Sequence, residues 1–168
     1  MSWTRQFLRT VTFTRPADTT QYTAGDAVSD ATTTATAATF VLTGMAANAH
    51  MGGKITGVSL YKSDQDQTGA DFDVYFFDTQ PAATGWDDNA AIAITDAEWK
   101  QCVGFVRLVA STDAVSVVSG DLYHRTNLDL VYQCVSGSTL LYPVIVARGT
   151  YTPASGEVFT LRVGGRVN

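Results

Sequence analysis

Short runs in which apolar and polar residues alternate, each closed by Gly, Pro or small polar residues, follow one another along nearly the whole chain. A period of two puts every second side chain on one face of a strand, so this rhythm demands β-structure. Trp3, Arg5, Phe7, Arg9, Val11 and Phe13 share one parity and predict a first strand over 3–13. Strands are also expected at 40–42, 54–62, 71–78 and 102–110, then on either side of the Ser119-Gly120 turn (113–118 and 121–125). The last ones fall at 127–135, 139–148 and 157–163, with Gly164-Gly165 read as a tail. Within 54–62 the spacing puts Ile55 and Tyr61 on one face and Val58 and Leu60 on the other, and in the next strand it turns Phe72, Val74 and Phe76 inward. Pro143 marks an edge or a bulge, because it has no amide hydrogen for a ladder. The Thr/Ala run 31–39 reads equally as a loop or an edge strand. Thr95 and Glu98 have capping-box spacing, so at most one short helix is expected, near 95–101.

About eight short strands with tight turns and no interleaved helices make an all-β fold, an antiparallel β-sandwich of jelly-roll type. Residues 15–168 are expected to form one sandwich domain, and residues 1–14 an N-terminal arm or strand that makes intermolecular contacts.

Charge is scarce and unevenly placed. Only 16% of residues are charged, against 45% hydrophobic, below the roughly 25% usual for globular domains. The net charge is −5, yet residues 1–16 carry Arg5, Arg9 and Arg15 without an acid, and residues 158–168 carry Arg162 and Arg166 without one. All sixteen acids lie between them. Basic ends on an acidic chain point to a partner, but five arginines and a pI near 4.7 argue against nucleic acid. The apolar stretch 140–147 is too short to cross a bilayer, and the amino end lacks a secretory signal pattern. The protein is therefore expected to be made in the cytosol, to stay soluble and to take no membrane partner.

Chemistry-bearing residues are few. His50 and His124 are the two histidines; neither forms a close His pair, so no metal site is expected. His124 has Asp121, Asp129, Ser116 and Ser119 nearby in sequence, but no nucleophile elbow accompanies them, and a surface histidine is the expectation. Asp64, Asp66, Thr68 and Asp71 resemble part of a calcium loop, but Tyr75 stands where an EF-hand needs its glutamate. Cys102 and Cys134 form no Cys-x-x-Cys pair and read as two free buried thiols. No catalytic residue, cofactor or metal is expected.

Two segments are informative as backbone geometry. In 15–28, Pro16 holds Arg15 extended, Asp18 can close a turn on nearby amides, and Gly25 is placed for positive φ. Pro153 and Gly156 make a second turn in 151–158. These two segments, with 55–63, 76–81, 88–97 and 141–160, occur in an order and spacing that resembles the head decoration, or cement, proteins of tailed phages. The resemblance runs from Arg15 to Val163 and is weaker before Arg15. It implies a jelly roll on the outer capsid surface of the virion, at two-fold or three-fold lattice contacts, without catalytic residues. The implied partners are the phage major capsid protein and further copies of the chain, as a dimer or trimer. On that reading the interface is expected to use Trp3, Arg5, Phe7, Arg9 and Arg15, with Trp86, Arg162 and Arg166. The alternative is a carbohydrate-binding jelly-roll module on a virion, which needs exposed, coplanar aromatics such as Trp86 and Trp99.

Overall fold

The computed structural model describes residues 5–49, 51–63 and 70–167. Its strands are β1 (Arg5–Thr14), β2 (Ala27–Val28), β3 (Gly52–Lys62), β4 (Phe72–Phe77), β5 (Cys102–Leu108), β6 (Ala114–Val117), β7 (Gly120–Arg125), β8 (Leu130–Gln133), β9 (Tyr142–Ala147) and β10 (Val158–Val167). They form two antiparallel sheets. The larger runs β1-β10-β3-β7-β6, with β8 also pairing β3; the smaller runs β2-β9-β4-β5. The chain passes from one sheet to the other at nearly every connection, β4 to β5 and the β6–β7–β8 stretch excepted. The pairing of β1 with β10, of β10 with β3 and of β9 with both β2 and β4 is the order of a jelly roll. The β6 hairpin and β8 extend this frame. β3 shares one edge between β8, at Gly52 to Ile55, and β7, at Val58 to Lys62.

Phe7, Val11, Phe13, Leu161 and Val163 from the larger sheet meet Phe72, Val74, Phe76 and Val144 from the smaller. The connections 29–51 and 78–101 add Phe40, Leu42, Met45 and Trp86 to the same core. Phe13 lies 4.7 Å from Phe40, which meets Trp86 edge-on at 4.8 Å.

Several elements differ from expectation. In β3 the buried residues are Gly53, Ile55, Val58, Leu60 and Lys62, so Ile55 shares a face with Val58 and Leu60, and Tyr61 faces out. The cause is a bulge: Gly164 pairs with Gly57 and Gly165 with Ile55, which leaves Thr56 as the extra residue and inverts the parity beyond it. β10 continues through Gly164-Gly165 to Val167 instead of ending in a tail, because a side chain at Gly165 would collide with the Lys54 carbonyl and the Phe7 ring, the ring lying 2.7 Å from the added carbon. Residues 40–42 make only an isolated bridge, Leu42 to Leu141, and 31–39 is loop. One-turn α1 (Asp96–Trp99) carries the expected capping box, but a second turn, α2 (Ala110–Asp113), and a 3-10 turn at Ala83–Gly85 accompany it. α2 forms because Asp113 accepts the Val109 amide and Asp71 the Ala110 amide, ending β5 there. Cys102 and Cys134 are free thiols, and burial raises both above the usual range.

Asp73 ties the smaller sheet together. Its shielded carboxylate accepts from Arg107 at 2.8 and 3.0 Å, from Arg148 and from the Tyr75 hydroxyl. Burial opposes its ionisation, but the hydrogen bonds from Arg107 and Arg148 outweigh burial and hold the carboxyl below its ordinary range. A depressed acid adds stability that is present above the ordinary carboxylate pKa and lost as pH falls through the folded value. Arg107 and Arg148 are partly exposed, so Asp73→Asn should lose only about 1–2 kcal/mol near neutral pH. Urea midpoints at about pH 7 and about pH 3 should show that deficit shrinking in acid; a deficit independent of pH would contradict the assignment.

Candidate docking face

The outward side chains of the larger sheet fall into rows across its strands. Gln6, Arg166, Lys54 and Val131 form the first row, and Leu8, Gly164 and Gly57 the second. Thr10, Arg162, Ser59 and His124 form the third, and Thr12, Thr160, Tyr61, Leu122 and Val115 the fourth. Gly164 and Gly57 are register partners without side chains, so the second row is the floor of a depression of about 500 Å³ walled by Leu8, Thr56, His124, Arg162 and Arg166. Arg162 and Arg166 stand four residues apart on β10, about 13 Å at a strand's rise, one on each side of this trough. Lys54 adds a third cation, bonded at 2.7 Å to the exposed Asp129. His124 shares a 2.7 Å hydrogen bond with Ser59 across the strands. Leu8, Val115 and Val131 are each more than half exposed. The face is thus basic and partly apolar on a chain of net charge −5.

The interface residues expected from sequence divide sharply. Arg162, Arg166 and Arg5 are exposed. Arg9 points the same way as Val11, and its guanidinium donates to the Thr43 and Gly44 carbonyls, pinning that loop. Phe7 lies in the core over Gly165. Arg15 and Trp86 are 2% and 1% exposed, so as folded neither presents a surface to a partner. Trp3 lies outside the described residues.

Arg15 belongs to an internal polar cluster. Its guanidinium donates to Asp88 at 2.9 Å, to Asp18 at 3.2 Å, to the Asp18 carbonyl and to the Tyr22 hydroxyl. Tyr22 donates to Asp88, and the Ser29 amide completes the carboxylate's partners. Burial still raises Asp88 above its ordinary range, against the pull of these donors. The two turn segments meet here. Arg15 and Glu157 bond through their backbones, the Gly156 amide donates to the Pro16 carbonyl, and Tyr22 stacks on Tyr151 at 4.9 Å. Asp18 accepts the Thr20 amide, Gly25 has φ 105°, Gly156 has φ 66° and Pro153 is buried. Segments far apart in sequence therefore form one corner.

The other candidates do not assemble into sites. His124 faces out beside Ser59, while the exposed Ser116 donates to the buried Asp121 on the opposite face of the sheet, so no Ser-His-Asp arrangement forms from them. Among the described residues no group of three or more His, Cys, Asp or Glu could hold a metal ion. Residues 64–69 of the acidic loop, and His50, lie outside the described residues; Asp71 accepts the Ala110 amide. Trp99 is half-buried and packs edge-on against Tyr75 at 5.1 Å, and Trp86 is internal, so these two indoles make no coplanar platform.

Neither a protein-family model nor a curated protein matches the chain. Among solved structures, a chain described as "Cyanophage Pam1 capsid asymmetric unit" is similar, at 17% identity with a TM-score of 0.37 over 98% of this chain and 86% of that one.

Proposed function

We propose that the protein is a structural component of a phage virion that binds the outer surface of the capsid lattice and cements neighbouring major capsid subunits. The observation that carries this reading is the glycine-floored basic face, built on a fold that viral capsid domains share with lectins and cupins. The sequence resemblance to phage cement proteins supports it. The trough admits a ridge of a coat subunit, with Arg162 and Arg166 meeting carboxylates on either side. β1 is the outer strand of the larger sheet, and the arm or strand over residues 1–14 makes intermolecular contacts. A molecule seated across two subunits resists their separation because both contacts must break. Many copies on one lattice add avidity, and binding only to the assembled shell stabilises that shell by mass action.

Reversing both charges, Arg162→Glu with Arg166→Glu, should leave the fold intact, since exposed substitutions shift stability by only about 0.5 kcal/mol. Co-sedimentation with purified capsids should weaken by roughly tenfold or more, and binding of the unaltered protein should fall as salt screens the charges. Unaltered binding by the double variant would exclude this face. A wild-type protein that never sediments with capsids would exclude the function.

A further inference from the structure

A second cluster lies inside the sandwich and plays no part in docking. The Lys62 amine is 3.4 Å from Asp121 Oδ2 and 3.4 Å from Glu157 Oε1, and all three side chains are wholly shielded from solvent. Lys62 and Asp121 are direct partners on β3 and β7, and on its other side Lys62 pairs with Phe159 of β10, two residues after Glu157. The surroundings are aromatic: the amine lies 5.5 Å from the centre of the Tyr151 ring, and Phe72 packs edge-on against Tyr123, Tyr151 and Phe159. The Ser116 hydroxyl donates to Asp121 Oδ1 at 2.8 Å, which leaves Oδ2 on the lysine side.

Fully ionised, this triad would hold three charges in a pocket shielded from solvent, and burying charged groups is costly. Condensing the amine with one carboxyl leaves the net charge unchanged but reduces the three buried charges to one. The amine is held against the carboxyl group it would attack, 3.4 Å from its Oδ2, so the two reactants are already brought together.

We propose that Lys62 and Asp121 join in an intramolecular isopeptide bond, with Glu157 as the proton carrier. Glu157 takes a proton from the ammonium and passes it to Asp121 Oδ2, leaving a neutral amine beside a neutral acid. The nitrogen attacks Cγ and the Nζ–Cγ bond forms, while Ser116 hydrogen-bonds the negative charge that develops on Oδ1. Glu157 then moves a second proton from nitrogen to Oδ2, the Cγ–Oδ2 bond breaks and water leaves. Ammonium and carboxylate become amide and water, Glu157 is restored, and no other reactant is needed.

Mass spectrometry of the intact, denatured full-length protein tests this. The wild-type chain should be lighter than its sequence mass by one water molecule. Trypsin digestion with tandem mass spectrometry should then recover one branched species joining the peptides that carry Lys62 and Asp121. Asp121→Asn should be lighter by one ammonia instead, because the amide nitrogen is then the leaving group, and Glu157→Gln should regain the full sequence mass. The wild-type measurement decides even if a variant fails to fold. A wild-type chain at its full sequence mass overturns the proposal, and so does a lost water that maps to a succinimide or to a Lys62–Glu157 link.

Discussion

Replacing Arg15 with alanine is expected to destabilise the protein by about 3–5 kcal/mol, the usual loss when one partner of a buried ion pair is removed. The variant strands the Asp88 carboxylate, whose side chain is wholly buried, with only Tyr22 and the Ser29 amide as donors. At about 2–4 °C per kcal/mol for a chain of this size, the melting temperature should fall by roughly 10 °C. The pH dependence has a definite sign. Asp88 is already raised by burial, and losing Arg15 raises it further. An acid raised in the folded state favours folding below its ordinary pKa, and that advantage is lost as pH rises through the folded value. The deficit of the variant should therefore be largest near neutral pH and should narrow in acid. Denaturant titration at both pH values checks this. A loss below about 1 kcal/mol, the range of a surface pair, would mean that the guanidinium is not sealed inside.

Trp86→Ala should lose about 3–5 kcal/mol, as large aromatic truncations in cores do. The indole is 1% exposed, meets Phe40 edge-on and donates to the Pro81 carbonyl at 3.4 Å. Trp86 and Asp88 sit on the same connection, so Trp86→Ala and Arg15→Ala should combine non-additively. A Trp86→Ala protein with an unaltered denaturation midpoint and weakened partner binding would return this residue to a surface role.

The strands were legible in the sequence wherever one face is buried and the other wet. Leu128, Leu130, Tyr132 and Cys134 alternate cleanly, and Tyr132 and Cys134 are indeed internal. The capping box at Thr95 and Glu98 is a local device that needs no tertiary knowledge. β3 was misread because a bulge is a property of two strands, and nothing in 54–62 alone shows which residue β10 skips. Gly57, opposite Gly164, was the available signal. The same limit explains Arg15. A guanidinium near the end of a strand looks like surface charge until Asp88, far along the chain, is brought beneath it. Lys62, Asp121 and Glu157 were each ordinary polar residues in their own segments. Only the register of β3 with β7 and β10 places them together. The docking face was half visible: the arginines of the last segment are exposed, but the glycine trough between them arises from cross-strand pairing.

The pairing of β1 with β10 along their whole length sets how the molecule bears force. Arg5 lies opposite Val167, so a pull on both chain ends enters at the same end of the ladder. Antiparallel hydrogen bonds run perpendicular to the strands, and such a pull opens them one after another, as a zip opens, at low tension. Tension carried through the flat of the sheet must instead break its rungs together. A pull applied between Arg5 and Val167 would therefore part β1 from β10 rung by rung.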